Sequence, residues 1–139
     1  KVINLEDINE KYGRKIGNEI ITRVSKMAKQ NLATEYILVR YMGPKFAIVF
    51  SGIDINAVSD FMSELKQKIE TIQIKNWDGE VITDDLEDEE KNKKFKIAQP
   101  MINIVVSTYY KGTALEGLTK KLEEYLDNAP KNESTINFL

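Results

Sequence analysis

Apolar positions recur along the chain at two spacings. Ile20, Ile21, Val24, Met27, Ala28 and Leu32 share one face of a helix expected from about Gly17 to Gln30, and Asn18, Glu19, Arg23 and Lys26 occupy its polar face. The same period returns in Val58, Phe61, Met62, Leu65 and Ile69, predicting a helix from Ile55 to about Ile72. It returns again in Leu115, Leu118, Leu122 and Tyr125, for a helix ending near Leu126. Between the first two lie Tyr36–Arg40 and Lys45–Phe50, rich in β-branched and aromatic residues and separated by a turn containing Gly43 and Pro44. This is a hairpin signal. Strands so continuously apolar predict burial on both faces, which puts the hairpin at Tyr36–Phe50 in the centre of a sheet with helices packed on it.

The flanks complete the layout. Lys1–Ile3 reads as the end of a strand, and Asn4 as the cap of a short helix through Glu10. Met101–Ser107 and Thr135–Leu139 read as strands, and Phe95–Ile97 as a third, set off by Pro100. From about residue 76 to 94 the periodicity stops. A Trp77-Asp78-Gly79 turn leads to an acidic run, Asp84–Glu90, and then to Lys91, Lys93 and Lys94, the pattern of a mobile, solvated loop. The run lacks the spaced carboxylates and the Gly of a calcium loop. Strand, helix, helix, hairpin, helix, strand, helix, strand is the order of a layered α/β (α+β) domain with a mixed central sheet flanked by helices.

Composition narrows the chemistry. At 139 residues and 42% hydrophobic, the chain suits one compact domain over residues 1–139. Twenty basic and 22 acidic residues, well mixed, give a formal net charge of -2, so neither nucleic acid nor a membrane surface is an expected partner. No apolar run approaches the roughly 20 residues that span a bilayer, and a cytoplasmic location is expected, with a tether to a membrane protein through an upstream part as the variant. Without Cys or His, the chain has no thiol, no imidazole base and no soft metal ligand. It begins at Lys1 inside an apolar stretch, and is expected to be an N-terminally truncated segment of a longer protein with a partner domain upstream.

At the hairpin the residues become specific. Arg40-Tyr41-Met42-Gly43-Pro44-Lys45-Phe46 is similar to the Arg-Tyr-Gly-Gly-Asp-Glu-Phe signature of GGDEF domains, the bacterial diguanylate cyclases. Leu5-Glu6-Asp7-Ile8-Asn9-Glu10 resembles that family's Phe-Lys-x-Ile-Asn-Asp, Tyr12-Gly13-Arg14 its Tyr-Gly-His, and Gly17-Asn18 its Gly-Asp. Leu118–Phe138 resembles the closing helix and strand. The resemblance covers nearly the whole chain and implies a palm-like domain akin to nucleotide cyclases and polymerases.

In active members, the resemblance implies, two acidic positions hold magnesium on the GTP triphosphate, and two domains meet to make cyclic di-GMP. Phosphoryl transfer needs divalent cations to neutralise phosphate charge, and magnesium needs carboxylate oxygen. The matching positions here are Lys1 for the strand-end Asp, Pro44 for the third signature residue and Lys45 for the Glu after it. An ammonium in place of a carboxylate turns attraction of a cation into repulsion, worth about 1–4 kcal/mol per unit pair at about 4 Å in a wet site. No catalytic residue, no metal site and no cofactor are therefore expected, and the signature Met42, Gly43, Pro44, Lys45 and Phe46 is degenerate. Asn128 and Asn132 stand where the family carries phosphate-binding Lys and Arg. The product-inhibition motif Arg-x-x-Asp falls at Ala33-Thr34-Glu35-Tyr36, without either charged residue. Asn9 and Asn18 match guanine-recognition positions, with an amide at 18 in place of an acceptor-only carboxylate; the plainer reading is that both cap helices or turns.

Three functions compete. The first is a catalytically inactive GGDEF-like domain acting as a regulatory, dimerisation or protein-interaction module in bacterial nucleotide second-messenger signalling. Its partners would be other domains of the same protein and a second copy of the chain. The second is a nucleotide-binding sensor for GTP, ATP or a cyclic dinucleotide that regulates an attached phosphodiesterase or other effector. The third, a weak nucleoside triphosphatase, has no ligand set to support it.

Overall fold

The computed structural model describes residues 1–77, 80–81 and 96–139. Helix α1 (Leu5–Tyr12) carries Glu6 and Asp7 in its first turn and Lys11 in its last, charges that complement the backbone dipole. Gly13, at φ 91°, reverses the chain into α2 (Arg14–Gln30), which starts one turn earlier than the apolar periodicity indicates. Strands β1 (Ile37–Met42) and β2 (Lys45–Val49) form the expected hairpin. Asp54 then caps α3 (Ile55–Glu70) by accepting from the Asn56 amide at 2.8 Å. Short strands β3 (Ile74–Trp77), β4 (Glu80–Val81), β5 (Lys96–Ala98) and β6 (Asn103–Val106) lead to α4 (Leu115–Asn128) and β7 (Thr135–Phe138).

The core is built mainly by two helices. Ile16, Ile20, Ile21, Val24 and Ala28 of α2 meet Val58, Met62, Leu65 and Ile69 of α3, with Val2, Ile8, Ile74, Ala98 and Ile102 closing the cluster. Leu38, Phe46 and Ile48 bring the inner face of the hairpin onto it. Tyr36, Phe50 and Phe61 continue the packing as an aromatic row, with centroids 5.0 and 5.6 Å apart.

The class is the mixed α/β one expected, and three details differ from expectation. The described strands form three small sheets, β1-β2, β4-β3-β5 and β6-β7, and the hairpin is buried on one face only. Ile37, Val39, Tyr41, Met42 and Val49 are exposed, because among the described strands β1 and β2 pair only with each other and the helical core covers the other side. Second, part of the stretch expected as loop from 76 is sheet. Asn76, within β3, is buried where a polar side chain argued for a loop, and its Nδ2 donates to the Lys96 carbonyl at 3.1 Å. The rest of that stretch, including the whole Asp84–Glu90 run, lies outside the described residues. Third, Asn4 precedes α1 without capping it: its Nδ2 donates to the Gln99 carbonyl and its Oδ1 accepts from the Met101 amide, both at 2.8 Å.

Those last bonds begin a seam that places the first residues. The Ile3 amide donates to the Met101 carbonyl, Val2 bridges Ile102, and the Val2 amide donates to the Pro44 carbonyl at 2.9 Å. Lys1–Ile3 thus lies between the hairpin turn and the start of β6. Strands β6 and β7 run parallel, with α4 as their crossover. Asn103 ties this half together from a buried position. Its Nδ2 donates to the Pro130 carbonyl at 2.6 Å, and its Oδ1 accepts from the Thr135 amide and hydroxyl at 3.0 and 2.9 Å.

Candidate functional site

The hairpin turn is two residues long, between the paired Met42 and Lys45. Gly43 sits at φ 54°, a left-handed conformation that favours glycine, and Pro44 needs no amide partner there. The Arg40 guanidinium closes the turn by donating from Nε to the Gly43 carbonyl at 3.1 Å. Lys45 is therefore aimed at a fixed point beside Lys1, whose backbone lies against Pro44 through Val2.

Both lysines meet the same atom. Lys1 Nζ is 3.1 Å and Lys45 Nζ 3.4 Å from Oδ1 of Asp127, in the last turn of α4. The lysine side chains are largely covered, at 21% and 16% exposure, whereas Asp127 is 56% exposed. Hydrogen bonds from Lys1 and then Lys45, reinforced by their charges, hold the Asp127 carboxyl below its ordinary range. One turn earlier on α4, the Glu123 carboxylate stands near Tyr41 and raises that phenol's pKa, by hydrogen bonding first and by its charge second. Glu123 Oε1 is buried and has no hydrogen-bond partner among the described residues.

The cluster predicts a pH signature. A lowered Asp127 pKa contributes stability that is present above the unfolded value of 3.8 and lost as pH falls through the folded value. The wild-type chain should therefore melt higher than Asp127→Asn near neutral pH, and the gap should close in acid. A gap that stays constant across that range would show that the charge on Asp127 is not what stabilises.

The asparagines expected to cap do not. Asn9 is in the middle of α1 and Asn18 on the exposed side of the first turns of α2, while the cap positions belong to Asn4 and Gly13. Gly17 brings the two helices together, since a Cβ there would collide with Oδ1 of Asn9. The Asn9 amide is thus seated on α2 at Gly17. Gly17→Ala offers a helix-propensity gain of up to about 1 kcal/mol against displacement of a short, movable side chain. Its melting temperature should change little while the Asn9 amide leaves its seat, an outcome that amide chemical shifts would read; unchanged shifts at Asn9 would refute the contact.

Of the other residues singled out, Met42 and Asn132 are exposed and Phe46 packs inward. Asn128 ends α4 and donates to the Glu124 carbonyl at 2.7 Å. Asp127 was not legible as a site residue, although two lysines at one locus called for a counter-charge, and it adjoins Asn128. The donor set around the turn is two ammoniums, a proline and one carboxylate already bonded to both ammoniums. It does not fit magnesium.

A profile described as "Diguanylate cyclase, GGDEF domain" matches residues 1–135. The chain belongs to the GGDEF family. It is similar to the diguanylate cyclase DosC of Escherichia coli K12, at 27% identity over 81 residues, which is 58% of this chain and 18% of that protein. DosC of Shigella boydii matches with the same figures, so the chain spans under a fifth of the length of these relatives. Among solved structures it resembles the GGDEF domain of DgcB from Caulobacter crescentus, determined in complex with c-di-GMP. That match has a TM-score of 0.71 at 13% identity and covers 97% of this chain and 71% of the other, which supports the fold alone. The GGDEF frame is therefore present.

Proposed function

We propose that this is a GGDEF domain without cyclase chemistry, acting as a regulatory or dimerisation module in cyclic di-GMP signalling. One observation carries the reading: Lys1 and Lys45, at the positions where magnesium ligands would stand, are both engaged by Asp127. A cation placed there would face two ammoniums, and repulsion between like unit charges at about 4 Å exceeds thermal energy even in a wet site, which supports the reading. Its partners in this reading are other domains of the same protein and a second copy of the chain, in the cytoplasm. No helix among the described residues is long and apolar enough to cross a membrane.

The test is incubation of the purified domain with GTP and magnesium, with product separated by chromatography. No cyclic di-GMP should form; its accumulation would overturn the reading. A second reading, a sensor that binds a nucleotide without turning it over, draws on the Asn9 amide seated against Gly17, the residue before Asn18. Calorimetry against GTP, ATP and cyclic dinucleotides separates the two, since silence across that panel removes the sensor.

A further inference from the structure

We infer that Lys1 and Lys45 form a metal-free phosphate site, held shut in this structure by the carboxylate of Asp127. The inference rests on the reading of the domain as one without cyclase chemistry, and adds a ligand class to it.

Two ammoniums converging on one oxygen from separate chain segments is the geometry with which proteins hold oxyanions. Here the oxyanion is the protein's own, 3.1 Å from one lysine and 3.4 Å from the other. The charges do not balance. Two positive groups with largely covered side chains share one negative charge, and the Arg40 guanidinium at the turn adds to the excess. Among the described residues Glu123, one turn earlier on α4, makes no ion pair with either lysine, and the carboxylate partner of both is Asp127. A dianionic phosphate group would neutralise both lysines, which a single carboxylate cannot.

Asp127 is also the displaceable partner. It is more than half exposed, whereas the lysines are held by the turn and by the backbone seam through Val2 and Pro44. It stands in the last turn of a helix, where the dipole disfavours an anion, so the lysines alone favour its present position. A phosphate arriving from solvent meets lysines already in place and has only to swing one side chain away.

The probe is inorganic triphosphate, titrated calorimetrically into the 139-residue chain in the presence of a chelator. Replacing Asp127 by Asn should tighten binding by about tenfold or more, and adding Lys45→Gln to that variant should weaken it by a similar factor. Lysine methylation read by mass spectrometry serves in the wild-type chain, where triphosphate should protect Lys1 and Lys45 and leave exposed Lys15 unchanged. Parallel titrations with GTP and ATP show whether the phosphate is read as part of a nucleotide. Binding no tighter in Asp127→Asn, or indifferent to Lys45→Gln, or protection absent from both lysines, overturns the inference. None of these outcomes bears on cyclase silence, which the product assay decides.

Discussion

Asn103→Leu is expected to destabilise the chain by roughly 1–3 kcal/mol. The replacement has similar volume but leaves the Pro130 carbonyl without its donor, while the Thr135 amide keeps a second acceptor, the Ile102 carbonyl at 3.1 Å. That is a large share of the total stability of a domain of this size. The consequence reaches the site, because Pro130 follows α4 directly and Asn103 fixes the end of the helix that carries Asp127. Chemical denaturation should show an earlier midpoint at unchanged slope. Asn103→Asp, which keeps the acceptor for Thr135 and loses the donor to Pro130, should fall between the two; a Leu variant as stable as wild type would mean that the buried bonds are not what joins β6 to β7.

Replacing Lys1 by Asp, Pro44 by Asp and Lys45 by Glu together is expected to make stability depend on magnesium. The triple variant removes both cations from Asp127 and sets new carboxylates against it. Each attraction lost becomes a repulsion gained, softened because Asp127 is 56% exposed and screened by water, so without the ion the triple variant should melt lower than wild type. Magnesium should restore much of the loss, since oxygen ligands would then surround the space the ammoniums now fill. The wild-type chain should melt at the same temperature with or without the ion. A triple variant with no response to magnesium would count against the alignment of Lys1, Pro44 and Lys45 with the metal positions.

Much of the frame was legible in the residue pattern because it rests on local physics. The periodicity predicted the inner face of α3 and most of that of α2, missing Ile16 and Gly17 in its first turn, and Gly43-Pro44 predicted the tight turn because few other residues accept that backbone. The GGDEF resemblance was legible because several short motifs fall in order along the chain. Misreadings arose where a residue's partner is remote in sequence. Asn4 has a capping residue's chemistry, yet the amide of Met101 outcompetes its own helix. Asn76 looked like loop until the Lys96 carbonyl satisfied it. The hairpin's apolar run argued for two covered faces, but a run that is apolar on both faces does not say how many neighbours arrive.

By itself the sequence determined most of the elements, the family and the presence of lysines at 1 and 45, since each depends on residue type and spacing along the chain. Only the tertiary structure decided what those lysines do. Lys1, Lys45 and Asp127 are far apart in the chain, and the seam from Val2 to Pro44 together with the Asn103 anchor brings them to one oxygen atom. A charge's effect is set by its distance to other charges, and that distance exists only once the chain has folded.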